Sequence, residues 1–154
     1  MSGSANDNSN KLNLNVGCSS SPIFHSSGWC PPPSSSLKLN VDASISSHSS
    51  VVGLGVVLRN DLGLVMWSCC MQSLGSSKVL CAEANALLMG ISMAHDLGFH
   101  SVIIESDALG LVQLINSDSS PLSEIGLLLQ DIHDRLNFCC DVSICYVLIG
   151  WLIL

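Results

Sequence analysis

The chain has 154 residues, of which 48% are apolar and 11% charged, and its formal net charge is -7. This length and composition suit one packed domain with a flexible end and exclude wholesale disorder. The acidic balance counts against tight, non-specific nucleic-acid binding, which needs cations to neutralise phosphates; the basic residues are Lys11, Lys38, Arg59, Lys78 and Arg135 alone.

Residues 1–36 read as a flexible leader rich in Ser, Asn and Pro. Up to residue 28 it has little periodicity, and Trp29-Cys-Pro-Pro-Pro33 then makes a stiff, extended approach to the domain. The N-terminus shows neither a basic segment followed by an apolar run nor an Arg-rich transit pattern. The expected setting is therefore intracellular, cytoplasmic or nuclear, with reduced thiols. Of the eight cysteines, no pair has C-x-x-C spacing. The adjacent pairs Cys69-Cys70 and Cys139-Cys140 read as small buried hydrophobes rather than metal ligands or disulfides.

The domain is expected over residues 37–148. Leu37-Lys-Leu-Asn-Val-Asp42 alternates apolar and polar, the period of a half-buried strand. Val51 to Leu58 is a β-branched run, Asn60-Asp-Leu-Gly63 is a turn signal, and Leu64-Val-Met-Trp67 resumes the strand. These three runs predict an antiparallel meander. The period then changes. Ala82, Ala86, Gly90, Ala94 and Leu97 fall on one side of a helix over 79–97, with Leu87 and Ile91 widening the stripe and Gly98 as its C-cap. Ser101-Val-Ile-Ile-Glu105 reads as a strand buried on both faces. A second helix follows over 107–115, capped by Ser106 or Asp107. Pro121 opens a third helix to about Leu136, whose Leu127–Leu129 run is expected in the core, and 140–147 reads as a last strand. The order β-β-β-α-β-α-α-β implies an α/β fold, a mixed five-stranded sheet with helices packed on it. The uncharged stretch from Val142 to Leu154 is too short for a membrane-spanning helix, and no membrane role is expected.

Three acids stand out by position. Asp42 ends or lies within the first strand, Glu83 lies in the first turns of the long helix, and Asp107 follows the fourth strand at its carboxyl end. Ligand sites in open α/β sheets form at the carboxyl ends of strands. If the first and fourth strands are neighbours, the three carboxylates meet, and a cation among them is what keeps them ionised. Each also has a plainer reading. Asp42 could start a turn, Glu83 could complement the helix dipole, and Asp107 could be only a helix cap. Glu105 reads as pointing to the other sheet face. Trp29, Trp67 and Phe99 could stack on bases, though aromatics in apolar runs are more often core. His48, His95 and His100 have no partner at ligand spacing.

The segments Leu37-Lys-Leu-Asn-Val-Asp-Ala-Ser44, Gly53-Leu-Gly-Val-Val-Leu-Arg-Asn-Asp-Leu-Gly63, Ala82-Glu-Ala-Asn-Ala-Leu87 and Val102-Ile-Ile-Glu-Ser-Asp107 together resemble the ribonuclease H-like domain of plant reverse-transcriptase-related proteins. Even the Trp and prolines before the first strand are similar, and the resemblance spans about Trp29 to Val147. It implies a ribonuclease H-like sheet and two-metal hydrolysis of the RNA strand of an RNA–DNA hybrid, with two Mg²⁺ ions that activate a water and stabilise the leaving oxygen. On this resemblance Asp42, Glu83 and Asp107 match three of the family's four metal-binding, catalytic acids, Asp42 being the most central. Ser44 matches a position that faces the substrate strand. The nucleic acid is the implied partner, and no protein partner is indicated.

The sequence departs from the family at its end. No Asp or Glu follows Asp141 and no His follows His133. Residues 149–154 form an apolar tail where the family has a loop and a helix bearing the fourth acid, so the domain is expected to be truncated and its nuclease activity impaired. The alternatives are a ribonuclease H-like module that binds nucleic acid without turnover, and a degenerate element-derived product.

Overall fold

A computed structural model describes residues 29–46, 50–74, 78–99, 101–117, 122–138 and 141–147. The leader up to residue 28, the tail 149–154, His48, His100, Pro121, Cys139 and Cys140 lie outside the described residues. Among the described residues, five strands and three helices follow in the expected order: β1 (Leu37–Ile45), β2 (Val51–Arg59), β3 (Val65–Leu74), α1 (Val79–Asp96), β4 (Ser101–Ser106), α2 (Leu109–Ile115), α3 (Glu124–Asn137) and β5 (Asp141–Tyr146). They form one mixed sheet in the order β3-β2-β1-β4-β5. The β1–β2 and β2–β3 pairs are antiparallel, and the β1–β4 and β4–β5 pairs are parallel.

The β2–β3 hairpin turns on Asn60, whose Oδ1 accepts from the Leu62 and Leu64 backbone N–H groups at 3.0 and 2.9 Å. Gly63 adopts φ +77°, which a side chain would strain. Asp42 does not open a turn: β1 runs through it to Ile45, with Asp42 facing Gly55 across the antiparallel ladder. β3 is longer than its apolar run suggested. It is an edge strand without charged residues, and most of its residues are exposed. Cys69 and Cys70 therefore sit on a half-exposed edge and not in the core, and they are free thiols.

α1 crosses the sheet over β1 and β2. Its buried stripe contains Ala82, Ala86, Leu87, Gly90, Ile91 and Ala94, but not Leu97, which lies past the last turn and is exposed. The helix ends in a Schellman closure: Phe99 N–H donates to Ala94 O and Gly98 N–H to His95 O, with Gly98 at φ +77°. α2 begins at Leu109, two residues later than expected. Neither Ser106 nor Asp107 caps it; Ala108 occupies that position without a side-chain bond. The bend before α2 is instead shaped by Ser106 Oγ, which accepts from Ala108 N–H at 3.2 Å. On α3, Leu129 is core and Leu127 is exposed. β4 buries Val102, Ile104 and Ser106, while Ile103 and Glu105 on its other face are only partly covered. No helix among the described residues is long and apolar enough to cross a membrane.

The second sheet face is covered near β1 by the approach segment. Trp29 lies against Gly63, where a Cβ would come within 3.3 Å of its ring, and Pro32 is buried. Trp29 is thereby occupied within the molecule. Trp67 and Phe99 pack against the core.

α1 comes close to the sheet at Gly90. A Cβ there would stand 2.9 Å from Leu39 Cδ2 and 3.0 Å from Val41 Cγ1. Gly90→Ala gains about 1 kcal/mol of helix propensity. Against this stands overpacking of about 1–3 kcal/mol, because one of the two crowded neighbours is a β-branched Val with little freedom to move. A net loss of stability is expected, read as a lower urea midpoint with an unchanged slope.

Candidate metal centre

Each acid reaches the site on a different element. β1 and β4 run parallel, and their ladder ends at the pair Asn40↔Glu105. Asp42 lies two residues further along β1, and Asp107 two residues further along the β4 chain. Both strands therefore deliver a carboxylate at the same end of the sheet, on its carboxyl side. The tight contact at Gly90 holds α1 against β1. Glu83 is seven residues earlier on the same helix face, two turns along, and so arrives beside Asp42. One carboxylate oxygen from each of Asp42, Glu83 and Asp107 lies within 4.8 Å of the others.

None of the plainer readings of these acids describes their setting. Asp42 is inside a strand. Glu83 stands beyond the first turn of α1 and is only 7% exposed, so it is no solvated partner of the helix dipole. Asp107 is exposed at the bend and caps nothing. Ser44 is brought near but not into the group. It stands two residues past Asp42, exposed, opposite Gly53, where a Cβ would come within 2.5 Å of the Ser44 hydroxyl. His95 lies away from the acids, beside Asp96 at the end of α1.

The electrostatics are those of crowded anions. Burial, and then the neighbouring Asp107 and Asp42, push Glu83 up from its ordinary 4.5 to about 7, although the Ala43 backbone N–H partly offsets this. Asp42 is also raised, by burial and then by Asp107, against the same backbone N–H. Glu83 Oε2 is buried and accepts no hydrogen bond. A buried carboxylate oxygen left unsatisfied is costly. A hard divalent cation suits it, because such ions prefer carboxylate oxygens and their charge cancels the repulsion.

Sequence reasoning assigned nothing to a polar network close to the site. Lys38 Nζ pairs with Glu105 Oε1 at 2.7 Å, Asn40 Nδ2 donates to Glu105 Oε2 at 2.8 Å, and Arg59 Nη1 donates to Asn40 Oδ1 at 2.8 Å. Glu105 does lie on the sheet face away from Ile104, as its alternation suggested, but it is fully engaged there. The available signal was that Lys38, Asn40 and Glu105 occupy alternate positions of two strands that had to be neighbours for the acids to meet.

The raised Glu83 makes the metal-free fold pH-dependent. Between about 4.5 and about 7 the folded chain holds a proton on Glu83 that the unfolded chain has released. Stability therefore falls as pH rises through this window, by on the order of 3 kcal/mol in full. The raised Asp42 acts with the same sign. Urea denaturation in EDTA across that range is expected to show this slope, and Glu83→Gln to flatten most of it.

The known proteins agree with this architecture. A family model described as reverse transcriptase-like matches residues 40–147. No curated protein matches the sequence. Among solved structures, RNase H1 from the halophilic archaeon Halobacterium salinarum NRC-1 superposes with a TM-score of 0.66 at 18% identity, over 72% of this chain and 84% of that one. LC11-RNase H1, solved in complex with an RNA/DNA hybrid and isolated from compost, gives 0.63 at 14% identity, over 72% and 84%. The prototype foamy virus protease–reverse transcriptase gives 0.61 at 17% identity, over 77% of this chain but 18% of that larger one. At these identities the structures speak for the fold: a five-stranded mixed sheet of ribonuclease H type. With that fold, and with the family model covering most of its length, the chain belongs to the reverse transcriptase-like family.

Proposed function

We propose that the protein is a divalent-cation-dependent nuclease of ribonuclease H type, which hydrolyses the RNA strand of an RNA–DNA hybrid. The observation that carries this reading is the meeting of Asp42, Glu83 and Asp107 within 4.8 Å, with a buried and unpartnered oxygen on Glu83. The hybrid as substrate is supported by the fold shared with LC11-RNase H1, which was solved on such a hybrid. The resemblance to reverse transcriptases supports descent from a retroelement.

Asp42, Glu83 and Asp107 would hold the cation, with Mg²⁺ the expected ion. When bound, such ions activate a water and stabilise the leaving oxygen of an in-line displacement. The chain's own part is placement. Asp42 is fixed by strand pairing on β1, Glu83 by the packing of α1, and Asp107 by the Ser106 bend. Glu83 gives up its proton as a cation enters, so apparent affinity rises with pH up to about 7. Ser44, exposed two residues past Asp42, would meet the substrate strand.

A second reading is a module that binds hybrid without turnover. It is favoured by the number of acids, since three carboxylates meet among the described residues where the family resemblance implies four. The basic side chains weaken both readings to some degree. Among the described residues, Lys38 and Arg59 are held within the polar network and Lys78 pairs with Glu124, which leaves Arg135 as the remaining basic side chain to meet phosphates.

The decisive experiment is cleavage of an end-labelled RNA–DNA hybrid in Mg²⁺. Wild type is expected to cut, EDTA to abolish the product, and Asp42→Asn to lower the rate by on the order of 10²-fold or more. Cleavage that survives both changes overturns the reading. Salt-sensitive binding of hybrid by a folded wild type that gives no product selects the second reading.

A further inference from the structure

The parallel ladder between β1 and β4 has four paired positions, from Leu37↔Val102 to Asn40↔Glu105. Beyond the last pair β1 continues only against β2, and the β4 chain bends away after Ser106. Asp42 and Asp107 leave their strands in this gap, two residues past the last rung. The separation of the two carboxylates is thus set by how that rung is held.

Side chains hold it as well as backbone. The Asn40 amide uses both its ends, donating to Glu105 Oε2 at 2.8 Å and accepting from Arg59 Nη1 at 2.8 Å. Glu105 uses both oxygens, the second on Lys38 Nζ at 2.7 Å. Lys38 Nζ also donates to the Cys30 carbonyl at 2.7 Å. The Trp29 ring covers both cations, with Lys38 Nζ at 5.4 Å and Arg59 Cζ at 5.2 Å from its centroid. Asn40 is 1% exposed and Lys38 7%. A buried polar cluster of this kind seldom stabilises more than apolar residues of the same volume would. What it adds is directionality: Asn40 and Glu105 make these bonds in one arrangement of the strands and lose them in a slipped or splayed one.

We propose that Asn40 and Glu105 are a positioning pair that fixes the spacing of Asp42 and Asp107, braced by Lys38 of β1, Arg59 of β2 and Trp29 of the approach segment. The inference rests on the metal-site reading above. It separates two tasks along the same two strands: the last paired rung sets the geometry, and the residues two steps on bind the ion. Repulsion among the carboxylates tends to spread β1 from β4 while no cation is bound, and the Asn40–Glu105 bond opposes it.

The test is isothermal titration of the full chain with MgCl₂ and with MnCl₂, alongside metal-free melting of each variant. Asn40→Ala removes the bridge and leaves the Lys38–Glu105 ion pair. It is expected to weaken cation binding about tenfold, as loss of a group orienting a metal ligand does. Glu105→Leu is expected to weaken it similarly. Glu105→Gln keeps an acceptor for Asn40 and is expected to recover most of the affinity lost in Glu105→Leu, although it removes the same charge. Ile132→Val, a core truncation in α3, shows what lost stability alone does, and its affinity is expected to match wild type. Equal affinity in Asn40→Ala and wild type overturns the positioning role while leaving the metal site standing. Equal losses in Glu105→Gln and Glu105→Leu also overturn it, because the effect would then be one of charge. Should Asn40→Ala fail to fold, the two Glu105 variants decide. A wild type that binds neither ion defeats the metal reading and this inference together.

Discussion

The parallel pairing of β1 with β4 is the constraint on which the candidate site depends. Neighbouring parallel strands end on the same side of a sheet, so Asp42 and Asp107 emerge together. Had β4 run antiparallel to β1, the same residues would stand at opposite ends. A parallel pair needs a long crossover, because no tight turn can connect its strands. Here the connection out of the meander is α1, and its route back across β1 carries Glu83 to the two strand ends. One topological fact therefore delivers three carboxylates from three elements, and the small side of α1 at Gly90 sets how near the third one comes.

The distribution of charge follows from the same pairing. β1 carries Lys38 and Asn40 on one face, and its neighbours add Arg59 from β2 and Glu105 from β4. These groups satisfy one another beneath Trp29. An acidic chain with five basic residues thus commits two of them to internal structure. Under the proposed function, a grip on a phosphodiester backbone would lean on divalent cations at the acids more than on lysine and arginine. Such a division of labour would fit the proposed metal site, with little of the broad, sequence-independent affinity that basic surfaces confer.

Much of this was legible in the sequence because the relevant signals are local. Alternation in Leu37–Asp42 gave β1, the step of four in Ala82, Ala86, Gly90 and Ala94 gave α1, and Gly98 marked its end by the one backbone conformation that favours glycine there. Convergence of Asp42, Glu83 and Asp107 was legible only on the condition that β1 and β4 are neighbours, since no local pattern states which strands pair. The extent of β3 was missed because an edge strand exposed on much of both faces need not alternate. Leu97 and Leu127 were placed in the core because periodicity identifies a stripe but not where packing stops. The Asn40–Glu105 bond joins residues 65 positions apart. Its members look like ordinary strand polars until the register is known.

The site is also where the fold gives up stability for geometry. Burial and like charge raise Glu83 to about 7 and leave one of its oxygens without a partner. Rigid elements are what make this tolerable. A carboxylate on a loop would rotate into solvent, relieve the repulsion and lose the arrangement. On paired strands and a packed helix the side chains have little room to escape, so the repulsion stays in place, where the proposed cation would relieve it. Asp107 is the exception, exposed on the bend after β4. Its backbone is held by Ser106 in the turn and Glu105 in the last rung on one side, and by the Leu109 N–H, which donates to the Asp107 carbonyl, on the other. The most exposed of the three acids thus borders the side-chain network of the last rung, which is where control of the site's geometry should concentrate.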